Sequence, residues 1–130
     1  MILPVKHRIP IVVGCLLMCG TLALAPFAAI GKGPPPSAIA AQDLPVEARA
    51  TLERIRAGGP FPYERDGVVF GNRERLLPPA PRGYYHEYTV PTPGVKSRGA
   101  RRIVCGGRAA TFAECYYSDD PYQSFRKIQR

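Results

Sequence analysis

One carboxylate and two arginines, Glu87, Arg98 and Arg102, have the types and the spacing for chemistry on a phosphate. Guanidinium groups hold an anion by forked hydrogen bonds, and a carboxylate beside them can take a proton from a hydroxyl. The residues that must position them read as strands. Tyr84-Tyr85-His86-Glu87-Tyr88-Thr89-Val90 is rich in β-branched and aromatic side chains, and a second β-like segment runs from Arg98 to Ile103-Val104-Cys105. Pro91-Thr92-Pro93-Gly94 between them cannot continue a central strand, so an antiparallel pair joined by a turn is predicted. Side-chain alternation puts Glu87 on one face with Tyr85 and Thr89, and His86 on the other with Tyr84 and Tyr88. Arg98 and Arg102 share a face if their strand is regular. A surface ladder of ion pairs is the other reading of the same three residues.

A chain of 130 residues has room for one small domain. It carries 18 Lys and Arg against 10 Asp and Glu, and from Gln42 onward the balance is still 15 to 10. This excess favours anionic partners, nucleic acid first and membrane surface second. Arg dominates over Lys in that region, which suits planar recognition of phosphate and base.

Residues 1–41 read as an address. Lys6, His7 and Arg8 precede an apolar run from Ile9 to about Leu24, and small residues follow at Ala23, Ala25, Ala28 and Ala29, with Ala38-Ile39-Ala40 as a further cleavage-like site. A secretory signal is predicted, with an uncleaved membrane anchor from Ile9 to Ile30 as the alternative. Gly31 to Pro36 is a stiff spacer, and the folded domain is placed at residues 42–130. Cys15 and Cys19 fall inside the apolar run, which leaves Cys105 and Cys115 in an exported, oxidising compartment. Gly106-Gly107 and the residues after them turn between two β-like segments, so a cross-strand disulfide is predicted. Two cysteines without a nearby histidine give no metal site, and no cofactor is expected.

The domain opens with a helix over Leu44 to Ile55. Pro45 suits its first turn, Val46, Ala48, Leu52 and Ile55 approximate one apolar face, and Gly58-Gly59-Pro60 ends it. Asp66-Gly67 turns, Val68-Val69-Phe70 reads as a short buried strand, and Gly71-Asn72-Arg73-Glu74 is a loop tip. The predicted class is α+β, with one N-terminal helix packed on a twisted antiparallel sheet.

At this point the chain resembles the microbial guanyl-specific ribonucleases, the barnase-like family of small secreted enzymes. The resemblance is carried by Gly59-Pro60-Phe61-Pro62-Tyr63, Asp66-Gly67-Val68-Val69-Phe70, Asn72-Arg73-Glu74, Gly83 to Val90, Thr92-Pro93-Gly94 and Arg98 to Ile103, in family order. It implies cleavage of single-stranded RNA after guanosine by transphosphorylation to a 2′,3′-cyclic phosphate. It implies Glu87 as general base and Arg98 and Arg102 as phosphate ligands, with Arg73 as a further catalytic cation and Tyr122 in the phosphate site. Phe70, Asn72, Arg73 and Glu74 match the guanine site, where backbone N–H groups face the base oxygen and the Glu carboxylate accepts from guanine N1 and N2. A monomer is implied, with a barstar-type inhibitor protein as a conceivable partner. The chain departs from the family pattern once at the centre: Pro121 precedes Tyr122, where the family has the histidine that protonates the leaving 5′-oxygen. Proline has no proton to give, so a slowed ribonuclease and a non-catalytic guanine-nucleotide or RNA-binding domain both remain open.

Overall fold

The computed structural model describes residues 36–109, 111–121 and 123–130. The leader predicted for residues 1–41 therefore lies almost wholly outside the described residues, as does Tyr122.

The predicted helix, α1, runs from Val46 to Ala57. Ala48, Leu52 and Ile55 recur at helical spacing and are buried, as sequence periodicity requires. Val46 does not join them: it is exposed, and Leu44, just before the helix, is buried in the core instead. Thr51 is also buried, and its hydroxyl donates back to the carbonyl of Glu47 at 3.0 Å. The helix stops at Gly58, whose φ of 80° is a left-handed cap that costs a glycine little. Its N–H and that of Gly59 close on the carbonyls of Ile55 and Arg54 at 3.2 and 2.9 Å.

Six strands make one sheet: β1 (Ser37–Ala40), β2 (Val68–Val69), β3 (Tyr85–Thr89), β4 (Arg102–Gly106), β5 (Glu114–Asp120) and β6 (Ser124–Gln129). Their spatial order is β1-β6-β5-β4-β3-β2. The central pairings are antiparallel, as expected, but β1 pairs with β6 in parallel, so the sheet is mixed. β1 contains Ala38-Ile39-Ala40, read in the sequence as a cleavage-like site, and Ile39 is buried in the core. β2 is shorter than predicted and lies at the other edge, where Val69 is exposed rather than buried.

Both faces of the sheet are covered, by different means. On the helix side, Tyr88, Val90, Ile103, Cys105 and Tyr117 pack with Leu52 and Ile55. On the opposite side, Tyr85, Val104, Tyr116 and Phe125 pack with Leu77, and Phe70, Leu76 and Tyr84 close over them. The long connection between β2 and β3 thus replaces a second helix layer. Tyr84 was expected on the His86 face, but β3 begins only at Tyr85, so alternation does not reach it. Its ring instead meets Tyr85 edge-on at 4.9 Å, and its hydroxyl donates to Glu114 at 3.4 Å.

Cys105 and Cys115 are direct cross-strand partners on β4 and β5, with Cα atoms 4.1 Å apart, and they are joined by a disulfide. The predicted staple is present between the strand that carries Arg102 and the strand that ends at Asp120.

Candidate active site

The loop over the β2–β3 connection covers only one end of its sheet face. Toward the other end the register sets Glu87 beside Thr89 on β3, Thr89 opposite Arg102 on β4, and Arg102 opposite Ser118 on β5. Polar side chains therefore continue the same face on which Tyr85, Val104 and Tyr116 are packed, and a cleft of about 430 Å³ opens over them. Its walls are Arg65, Phe70, Glu87, Arg98, Gly99, Ala100, Arg102, Asp120 and Pro121.

Glu87 is held in this cleft with 15% of its side chain exposed. Arg98 reaches it with Nη2 at 3.2 Å from Oε1, while Arg98 Nε donates to the Thr89 hydroxyl at 2.8 Å. One guanidinium is thereby fixed to two neighbours on the same strand face. Arg98 gets there differently from the sequence expectation: β4 starts only at Arg102, so Arg98 belongs to the connecting loop. The turn that aims it needs Gly99, which has φ of 68° and whose Cβ, if present, would stand 2.7 Å from the Thr92 hydroxyl. Arg102 is nearly buried, and its Nη1 donates to the carbonyls of Gly99 and Arg101 at 2.9 and 2.8 Å. The loop backbone orients this arginine, and this arginine in turn braces the loop.

Asp66-Gly67 turns as predicted and is tied to the same strand. Thr89 N–H donates to Asp66 Oδ1 at 2.7 Å, Tyr63 N–H donates to its Oδ2 at 3.3 Å, and Gly67 N–H donates to the Glu87 carbonyl at 2.8 Å. That turn carries Arg65, whose Nη2 lies 3.9 Å from Glu87 Oε1. Arg65 was missed in the sequence. It sits in the mixed-charge run Glu64-Arg65-Asp66, which reads as a solvated turn, and only the backbone ties to β3 bring it to the cleft.

Phe70 lines the cleft and packs edge-on against Phe125 at 5.6 Å, with its N–H bonded to the Tyr85 carbonyl at 2.9 Å. The loop after it is built around Asn72, which adopts φ of 50°. Its side-chain amide donates to the Leu77 carbonyl at 2.9 Å and accepts from Leu77 N–H at 3.1 Å. The Asn72 side chain is therefore committed to shaping the loop. Arg73 and Glu74 are exposed on this loop and are not part of the cleft wall. Arg73 lies over Gly71, its Cγ 3.6 Å from where a Cβ would be.

His86 faces away, as alternation predicted. Its ring stands 6.2 Å from Phe112 on the helix side, and its Nδ1 is buried with no hydrogen-bond partner among the described residues. It therefore lies on the face away from the cleft. Pro121 occupies the cleft wall next to Asp120, so the departure read in the sequence falls at the site itself. Beneath the apolar end, burial pushes the Tyr116 phenol up to about 12 and the Tyr85 phenol further, with Glu114 adding to both. Among the described residues no cluster of three or more His, Cys, Asp or Glu is placed to hold a metal ion.

A carboxylate flanked by guanidiniums, next to an aromatic wall and a shaped loop, defines a protein that can hold a phosphate and a neighbouring base. A family model described as ribonuclease matches residues 32–129, and the chain belongs to that family. It is 58% identical over 85 residues to guanyl-specific ribonuclease Sa3 of Kitasatospora aureofaciens, covering 65% of this chain and 58% of that protein. The chain thus spans a little over half the length of that relative. It is 55% identical over 84 residues to guanyl-specific ribonuclease St of Saccharopolyspora erythraea, covering 65% of this chain and 79% of that one. Among solved structures, ribonuclease Sa2 in complex with mononucleotides matches with a TM-score of 0.70 and 47% identity, over 75% of this chain and 98% of that one.

Proposed function

We propose that this protein is a guanyl-preferring endoribonuclease that cleaves single-stranded RNA by transphosphorylation, without the histidine acid its family uses. The observation that carries the reading is Glu87, largely enclosed in the cleft, with Arg98 at 3.2 Å and Arg102 on the adjoining strand. Ribonuclease Sa2 has been solved with 3′-GMP and with a guanosine cyclophosphate, which supports the same ligand class here.

In this reaction guanine stacks on Phe70, and the 72–77 loop presents its backbone N–H groups to the base oxygen while Glu74 swings in to accept from N1 and N2. The phosphate displaces Arg98 from Glu87, so the guanidinium passes from the carboxylate to the phosphate oxygens. Glu87 then takes the 2′-hydroxyl proton, and the 2′-oxygen attacks phosphorus. Charge developing on the phosphoryl oxygens is met by Arg98 and Arg102, which are already oriented by Thr89 and by the loop carbonyls. The 5′-oxygen leaves with the electron pair of its bond to phosphorus and takes its proton from water, because Pro121 has none to give. The product is the 2′,3′-cyclic phosphate. Tyr122 is assigned to the phosphate site and Arg73 to a more distant cationic contact, both on family resemblance. Export by the N-terminal segment is part of the same reading, supported by the Cys105–Cys115 disulfide, which persists in oxidising compartments.

Pro121 also favours a second reading, a domain that binds guanine nucleotides or single-stranded RNA without cutting. Comparing the full chain with its Pro121→His variant on guanosine-containing RNA separates the two. The enzyme reading expects slow cleavage after guanosine by the parent chain and a gain of about 10²–10⁴-fold in the variant, the usual worth of a positioned acid. The gain should shrink with an activated leaving group and as pH rises past about 6.5, where an unperturbed imidazole loses its proton. Binding of guanosine monophosphate with no cleavage by either protein contradicts the enzyme reading and leaves the binding domain.

A further inference from the structure

Two guanidiniums converge on one oxygen of Glu87. Arg98 approaches Oε1 from the β4 side at 3.2 Å, and Arg65 approaches the same atom from the β2 side at 3.9 Å. The two arginines differ in how they are held. Arg98 is also bonded to Thr89 and is 26% exposed, whereas the Arg65 side chain is 67% exposed and among the described residues Glu87 is its one ionic partner. Its backbone, by contrast, is anchored: the Arg65 carbonyl accepts from Val68 N–H at 3.3 Å, and the next two residues are tied to β3. A fixed root with a loosely paired head, on the wall of a cleft built for an anion, is the form of a ligand-binding arm.

We propose that Arg65 is a third phosphate ligand of this cleft, closing on the anion from the side opposite Arg98 and Arg102. The inference rests on the reading of the cleft as a nucleotide phosphate site. An ion pair this long and this exposed gains little, so Arg65 gives up little in leaving Glu87 for a phosphate oxygen. The exchange also uncovers the carboxylate as the phosphate arrives, when Glu87 must accept a proton. A guanidinium suits the role better than an ammonium, since its fork can bind two phosphate oxygens at once. The arm adds cationic charge in a cleft whose acid position is proline.

The test is calorimetric titration of the full chain, and of its Arg65→Gln and Arg65→Lys variants, with guanosine and with guanosine 3′-monophosphate. The ratio of the two dissociation constants measures what the phosphate contributes. In the parent chain the monophosphate should bind more tightly than the nucleoside. Arg65→Gln should reduce that ratio on the order of five- to tenfold, as for loss of a charged hydrogen bond, with guanosine affinity unchanged. Arg65→Lys should keep part of the ratio, and raising the salt concentration should narrow the gap between parent and Arg65→Gln. An unchanged ratio in Arg65→Gln, with the parent still preferring the monophosphate, overturns the proposal alone and makes Arg65 a surface partner of Glu87. A fall in guanosine affinity equal to that for the monophosphate also overturns it, marking a disturbed loop. A parent chain indifferent to the phosphate overturns the cleft reading and the proposal with it.

Discussion

On the proposed function Arg98 and Arg102 both serve the phosphate, yet their surroundings predict different consequences of losing them. Arg98 is partly exposed and bonded to side chains, so Arg98→Ala should weaken guanosine and adenosine monophosphates alike, by about 1.5–3 kcal/mol, with little change in melting temperature. Arg102 is 9% exposed and holds two loop carbonyls, so Arg102→Ala should lower thermal stability as well as binding. Equal melting temperatures for the two variants would contradict this division. The proposed function assigns Glu74 to base choice: Glu74→Ala should weaken guanosine monophosphate more than adenosine monophosphate, by about 1–3 kcal/mol, since only guanine presents the paired N1 and N2 donors. Equal losses measured by titration would remove the guanine assignment. Glu87 was legible in the sequence because strand alternation and residue type both pointed to it, whereas Arg98 and Arg102 were legible by type and spacing alone, Arg98 reaching the cleft from a loop and not from a strand. Arg65 was not, because its place depends on Asp66 and Gly67 bonding to a strand twenty residues further along, roughly, which no local pattern records.

At the scale of elements, the connection between β3 and β4 decides whether the arginines converge. The sequence suggested that a regular strand would align Arg98 with Arg102; the structure aligns them through a turn at Gly99 instead. Gly99→Ala forces a side chain into a left-handed backbone and toward the Thr92 hydroxyl at 2.7 Å, so it should cost about 1–2 kcal/mol of stability in a denaturant titration. Cleavage should fall further than that loss explains, because Arg98 and Arg102 both hang from this loop. Full activity in a Gly99→Ala protein would show that the loop does not aim them. The Cys105–Cys115 bridge closes a short loop between adjacent strands, so reduction should lower stability by at most about 3 kcal/mol and leave the fold standing. Two titratable thiols in unreduced protein from an oxidising compartment would refute the bridge. The helix, the β3–β4 pair and the disulfide strands were readable from periodicity, turn residues and cysteine spacing. β1 was not: Ser37-Ala38-Ile39-Ala40 is four residues long, resembles the end of a leader, and becomes a strand only by pairing with β6 at the far end of the chain.

For the whole molecule, the sheet is a shared wall between two clusters, and the aromatic side chains in both make the fold sensitive to alkali. Burial raises the Tyr116 and Tyr117 phenols to about 12, Asp119 adding to the second, and it raises Tyr85 and Tyr88 as well. A group whose folded pKa is raised binds its proton more tightly in the native state. Its contribution is therefore intact below about pH 10, where the unfolded phenol is still protonated, and is lost as pH climbs from there through about 12. Denaturant midpoints should fall across that window, with phenolate absorbance rising together with loss of structure; ionisation of all tyrosines well before unfolding would contradict it. The same sheet explains the site, since the loop layer that buries Tyr85 and Phe125 stops short of Glu87 and leaves the cleft open. That half-cover was invisible in the sequence, where one helix and one sheet face were all the periodicity could assign. The most direct test of the whole account is cleavage of a guanosine-containing RNA by the full chain beside its Glu87→Gln variant, with products resolved. The parent chain should leave guanosine 2′,3′-cyclic phosphate ends, and the rate should be lower by about 10²–10⁴-fold in the variant, whose amide keeps the shape and loses the proton acceptor. An equal rate in the two proteins would place the chemistry somewhere other than Glu87 and contradict it.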